Sequence, residues 1–109
     1  MDTPAQILFH NLDHSPAIED FARKRIEKLE RFWDRITRCR VTIEAPHQQH
    51  TKGNKFKVRI DVTVPGKELI VDKDPGDTNA HEDVYVAMRD AFEAAERQLK
   101  SYSETRRNG

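Results

Sequence analysis

Histidine and cysteine are the side chains of this chain that could hold a metal or attack a substrate, and few are present: five histidines and one cysteine. His47 and His50 share the stretch "PHQQHTKGN", and His81 stands beside Glu82 and Asp83. Imidazole with carboxylate suits zinc or a similar ion, but a site needs three or four ligands that converge. Of these candidate histidines only His47 and His50 are close in sequence, and both lie in a loop, so no metal site and no cofactor is expected. The serines are Ser15, Ser101 and Ser103, each accounted for by a helix cap or a polar tail. There is no glycine-rich phosphate loop, no Cys-x-x-Cys pair and no His-Glu-x-x-His. Catalysis and a small-molecule substrate are therefore not expected. Cys39, alone, cannot form an internal disulfide and reads as a small buried thiol, which fits a reducing, cytoplasmic setting.

Charge carries more information. Charged residues make up 35% of the 109-residue chain, yet Lys+Arg and Asp+Glu are equal at 19 each. A neutral total gives no long-range attraction to phosphate, so any such binding must come from segregation of the charges. In "SPAIEDFARKRIEKLERFWDR" the signs do segregate. Lys24, Lys28, Arg31 and Arg35 form one stripe at helical spacing, Arg25 lies between it and the apolar face, and Glu19, Glu27, Glu30 and Asp34 occupy the opposite flank. Lys24–Lys28 and Arg31–Arg35 set like charges one turn apart, a mild penalty that an anionic partner would relieve. A solvated, ion-paired face is the alternative.

The elements that must position these residues follow from periodicity. "AQILFHNL" (Ala5 to Leu12) reads as a first strand. Ser15 can cap a helix with Pro16 at its first position, and Ile18, Phe21, Ala22, Ile26, Leu29, Phe32 and Trp33 give that helix an apolar stripe to about Asp34. "CRVTIEA" alternates as a second strand. In "KFKVRIDVTV", Phe56, Val58, Ile60, Val62 and Val64 point one way and Lys55, Lys57, Arg59, Asp61 and Thr63 the other. Pro65-Gly66 turns the chain into a fourth strand, "KELIVD". Asn79 and Glu82 resemble a capping box for a final helix over His81 to Tyr102, whose polar side carries Arg89, Arg97 and Lys100. The last residues, 103–109, are expected to fray.

The order β-α-β-β-β-α with alternating strands predicts an α+β fold in a single domain: a four-stranded mixed sheet with two helices on one face and the other face open to water. The first two strands should be parallel and joined by a right-handed crossover. The open face carries Arg38, Arg40, Lys55, Lys57 and Arg59 but no aromatic residue for stacking bases, so any RNA contact there would be with phosphates and shape. Trp33 could stack on a base, but packing at the helix end is the simpler expectation. No apolar run is long enough for a membrane span, and the polar start "MDTPAQ" is unlike a signal peptide.

Residues 6 to 102 resemble the ribosome hibernation-promoting factor family, also called sigma-54 modulation proteins. The resemblance is carried by "SPAIEDFARKRIEKLERF", by the intervening meander, and by "HEDVYVAMRDAFEAAERQL" with its His81-Glu82-Asp83 start and Glu96-Arg97-Gln98-Leu99 end. It implies a fold similar to double-stranded-RNA-binding domains and binding to ribosomal RNA of the small ribosomal subunit, in the channel used by mRNA and tRNA, which keeps idle ribosomes out of translation. Family contacts come from basic residues of both helices, matching Arg25, Lys28 and Arg31 here, with Lys24 and Arg35 extending the ridge. Arg89, Arg97 and Lys100 are the candidates on the second helix. Ala94 and Ser101 depart from the pattern, standing where lysine is frequent, and two loops are longer than in typical short members. A short-form factor is implied, with ribosome dimerisation by this chain alone not expected. A regulatory protein-interaction module of the same fold, with little ribosome affinity, is the rival reading.

Overall fold

The computed structural model describes residues 3–45, 56–73 and 83–108. In chain order the elements are β1 (Gln6–His10), α1 (Pro16–Phe32), β2 (Arg38–Glu44), β3 (Lys57–Val64), β4 (Lys67–Lys73) and α2 (Val84–Asn108). The sheet order is β1-β2-β3-β4, with β1 parallel to β2 and the other pairs antiparallel. This is the α+β arrangement the alternation predicts. Val41 and Ile43 of β2, Val58, Ile60 and Val62 of β3, and Leu69 and Val71 of β4 project onto one side. There they meet Ile18, Ala22, Ile26 and Leu29 of α1 and Met88, Phe92 and Leu99 of α2 in a single cluster. Each large side chain fully withdrawn from water there contributes about 1.5–3 kcal/mol.

Local chemistry sets the element ends. The Ser15 hydroxyl accepts from the Ile18 amide at 3.2 Å and Pro16 opens α1. Asn11 takes a left-handed conformation (φ 63°), which stops β1 at His10, earlier than Leu12. Val64 pairs with Lys67 across the two-residue turn Pro65-Gly66, where Gly66 has φ 79°, a conformation that favours glycine.

Several expectations need correction. The α2 cap among the described residues is Asp83, whose carboxylate accepts from the Tyr85 amide at 2.9 Å, and the helix begins at Val84 rather than His81. Asn79 and Glu82 lie outside the described residues. At its other end α2 runs to Asn108, past the expected helix end at Tyr102. "SETRR" holds no glycine or proline to break the helix, and just before it the Tyr102 hydroxyl donates to the Pro65 carbonyl at 2.8 Å. Phe32, assigned to the apolar stripe, is 63% exposed, because α1 ends there and the chain turns away at Trp33. Asp61, assigned to the open face, is only 9% exposed. It does sit on that face, between Arg40 and Ile70 in the register, but Arg59 folds over it with Nε and Nη2 each 3.3 Å from a carboxylate oxygen.

Candidate nucleic-acid interface

The helices present their outer surfaces to solvent on the side of the molecule opposite the open sheet face. On α1, Arg25, Lys28 and Phe32 follow one another at three- and four-residue spacing and so share a stripe. That stripe borders α2. The Arg25 guanidinium lies over the Phe92 ring, 5.9 Å from its centroid, and 3.9 Å from Glu96 Oε1. Lys28 Nζ is 3.6 Å from the same oxygen. One carboxylate thus serves two cations of the expected ridge, Arg25 and Lys28.

The other candidates divide into paired and unpaired. Lys24 Nζ is 3.1 Å from Asp20, one turn earlier on α1, and Arg89 is 3.3 Å from Asp90. Arg97 and Lys100 line a shallow groove with Trp33, Glu93 and Glu96. Arg31, Arg35, Arg97 and Lys100 form no ion pair with another described residue. The fold therefore brings Arg25, Lys28, Arg97 and Lys100 to the two sides of the α1–α2 seam around Glu96. Arg89 stands nearer the α2 N-terminus, and Lys24 with Arg31, seven residues apart, faces outward on α1.

The open sheet face is different. Among the described residues its cations Arg38, Arg40, Lys57 and Arg59 are matched in number by Glu44, Asp61, Glu68 and Asp72 on the same side of the strands, and Lys55 lies outside the described residues. Arg59 bridges Asp61 and Asp72, Lys57 reaches Asp72 at 3.5 Å, and Arg40 donates to the Gln6 side-chain oxygen at 3.1 Å. Hydrogen bonding to Asp61, first, and the charges of Asp61 and Asp72 raise the Arg59 pKa above its ordinary value. A face neutralised within itself has little left to offer phosphate. Its positive character in sequence is cancelled by the neighbouring strands, which pattern reading of one strand at a time does not reveal.

Among the described residues no three His, Cys, Asp or Glu side chains converge as metal ligands, and His47, His50 and His81 lie outside them. Among the described residues, too, no helix is long and apolar enough to cross a membrane.

Residues 5–107 match the family described as sigma 54 modulation protein / S30EA ribosomal protein. The chain belongs to that family. It is 31% identical over 97 residues to the ribosome hibernation promoting factor of Azotobacter vinelandii, covering 87% of this chain and 78% of that one. A ribosome hibernation promotion factor from Deinococcus radiodurans is 24% identical over 97 residues, covering 89% of this chain; the chain spans about half of that relative, 47% of its length. Two solved structures share the fold. The N-terminal domain of Thermus thermophilus Protein Y superposes with a TM-score of 0.68 at 24% identity, covering 89% of this chain and 94% of its own. A ribosomal subunit interface protein from Coxiella burnetii superposes with a TM-score of 0.73 at 20% identity, covering 92% and 97%.

Within this family frame, two side chains at the seam were not singled out from sequence. Glu96 appears in sequence only as part of the α2 motif, and its closeness to Arg25 and Lys28 depends on how the helices cross. Phe32 follows the apolar period of α1, and only the position of the helix end exposes it. Ala94 is buried at 8% exposure, so the α2 position that departs from the expected lysine lies in the core and not on the outer surface.

Proposed function

We propose that this protein is a ribosome hibernation factor that binds ribosomal RNA of the small subunit, in the mRNA and tRNA channel, through the outer surfaces of α1 and α2. It acts by occupancy, not by turnover, and blocks the channel while translation is idle. Family membership supports the ribosome as the partner. The observation that carries the choice of face is the distribution of pairing. Of the cations without an ion pair to a described residue, Arg31, Arg35, Arg97 and Lys100 stand on the helical side and Arg38 and Arg40 on the sheet, where Arg40 donates to Gln6 and Arg59 and Lys57 are held by Asp61 and Asp72. Unpaired cations release counterions when they meet phosphate without first giving up a protein partner.

The test is co-sedimentation of the protein with purified small subunits across a salt series, with an mRNA fragment or tRNA as competitor. Binding that falls linearly on a log–log salt plot and is displaced by the competitor is the expected result. Binding indifferent to the competitor would place the contact elsewhere on the subunit. A protein-interaction module of the same fold is favoured by one observation, the neutralisation of Arg25 and Lys28 by Glu96. Failure to pellet with small subunits at any salt concentration would favour that reading.

A further inference from the structure

We propose that Phe32 is a stacking platform for an unpaired base of the RNA bound at the helical face, an inference that rests on the small-subunit reading above. Phe32 is the most exposed of the large hydrophobic side chains among the described residues, at 63%. The others have different surroundings. Leu8 and Ile70 lie on the open sheet face, and Tyr85 packs edge-on against Phe21 with ring centroids 5.3 Å apart.

The surroundings of Phe32 fit a nucleic acid. It stands one turn beyond Lys28 and two turns beyond Arg25 on the same stripe of α1, with Arg31 next to it in sequence and Arg35 just past the helix end. Its neighbour Trp33 is held against the core and against α2, lining a small cleft with Leu99 and Tyr102. The two rings are 6.0 Å apart and inclined at 60°, so Trp33 buttresses Phe32 from one side without stacking on it. A phenyl ring kept exposed on a rigid helix end, with cations before and after it, matches the combination by which proteins hold single-stranded nucleic acid: a basic track for the backbone and an aromatic face for a base. A protein partner would instead call for a wider apolar patch, whereas the apolar neighbours of Phe32, Trp33 and Tyr102, are partly buried and Lys28 and Arg31 precede it on α1.

Stacking and phosphate binding separate by their salt dependence. Affinity of the full chain for purified small subunits is measured across a salt series for the native protein and for Phe32→Ala, Phe32→Leu and Phe32→Trp, with circular dichroism confirming that each is folded. Phe32→Ala should weaken binding by about tenfold at every salt concentration and leave the log–log slope unchanged, because every phosphate keeps its cation. Phe32→Trp should restore or exceed native affinity, and Phe32→Leu should behave like Phe32→Ala. Native affinity in Phe32→Leu would mean an apolar contact with a ribosomal protein and overturn the stacking assignment. Native affinity in Phe32→Ala, with native binding salt-dependent, overturns the role of Phe32 and leaves the small-subunit reading standing. No binding by the native protein overturns both.

Discussion

Glu96 Oε1 lies 3.6 Å from Lys28 Nζ and 3.9 Å from the Arg25 guanidinium, so a carboxylate of α2 sits between two cations of α1. All three side chains are partly exposed, which makes each ion pair weak, on the order of 0.2–1 kcal/mol. RNA binding at this seam must displace the carboxylate or accept its repulsion. Glu96→Gln keeps the shape and removes the charge. It should tighten small-subunit binding by about two- to fivefold at low salt, with the gain shrinking as salt screens the site. Weaker binding by the variant would mean instead that Glu96 positions Arg25 and Lys28 for the RNA.

A second prediction concerns the length of α2. The Tyr102 hydroxyl donates to the Pro65 carbonyl in the β3–β4 turn, and the Gln98 amide donates to the Ile70 carbonyl of the edge strand β4 at 3.1 Å. These bonds dock the far end of α2 and support its continuation to Asn108. Tyr102→Phe should cost about 1 kcal/mol, lowering Tm by about 4–8 °C. Amide exchange should quicken most from Ser103 onward. Uniform exchange across the whole chain would show that the hydroxyl anchors no local segment.

Cys39 offers a chemical probe of the core. Burial, first, and the negative charges of Glu30 and Asp61 push its thiol up to about 12. An exposed thiol ionises near 8.5, so raising the pH from about 7 to about 9 should speed alkylation of the unfolded chain and leave the native protein almost unreactive. The sign of the linked stability follows: the raised value favours the fold fully below about 8.5, and that contribution is lost as pH rises from there toward the folded value. Rapid labelling of native protein with iodoacetamide at about pH 9 would contradict the burial of this strand.

Much of the fold is legible because each strand alternates cleanly and each helix has one apolar stripe. Val58, Ile60 and Val62 could point only to the covered face once the period of two was recognised. Asp61 shows where that reading stops. Its position on the open face was legible, but its burial depends on Arg59 from the same strand and on Arg40 and Ile70 from its neighbours, none of which is a local pattern. The interface candidates divide in the same way. Lys24 and Arg31 could be placed on α1 from spacing alone, Arg35 falls past the helix end and off the expected stripe, and the Arg25–Glu96–Lys28 cluster requires the two helices to meet. Phe32 needs something else again, the residue at which α1 ends.

The last prediction decides which face meets the ribosome. Lys28 and Arg31 lie outside the buried stripe of Ile18, Ala22, Ile26 and Leu29, so changing them spares the core. Reversal to glutamate is the blunter choice, because Lys28→Glu would set a second carboxylate against Glu96. Lys28→Gln with Arg31→Gln removes the charges without that repulsion. The pair should weaken small-subunit binding and lower the log–log salt slope by about 0.7 to 0.9 for each phosphate no longer neutralised. Arg38→Gln with Arg40→Gln is the matched control on the open sheet face, where Arg40 already donates to Gln6 and the neighbouring carboxylates balance the charge. It should leave both affinity and slope close to native. Pelleting with small subunits over a salt series reads both variants, and circular dichroism verifies that each is folded. If the sheet pair abolishes binding while the helix pair retains it, the RNA lies against the open face, and the cations of α1 and α2 are a solvated surface.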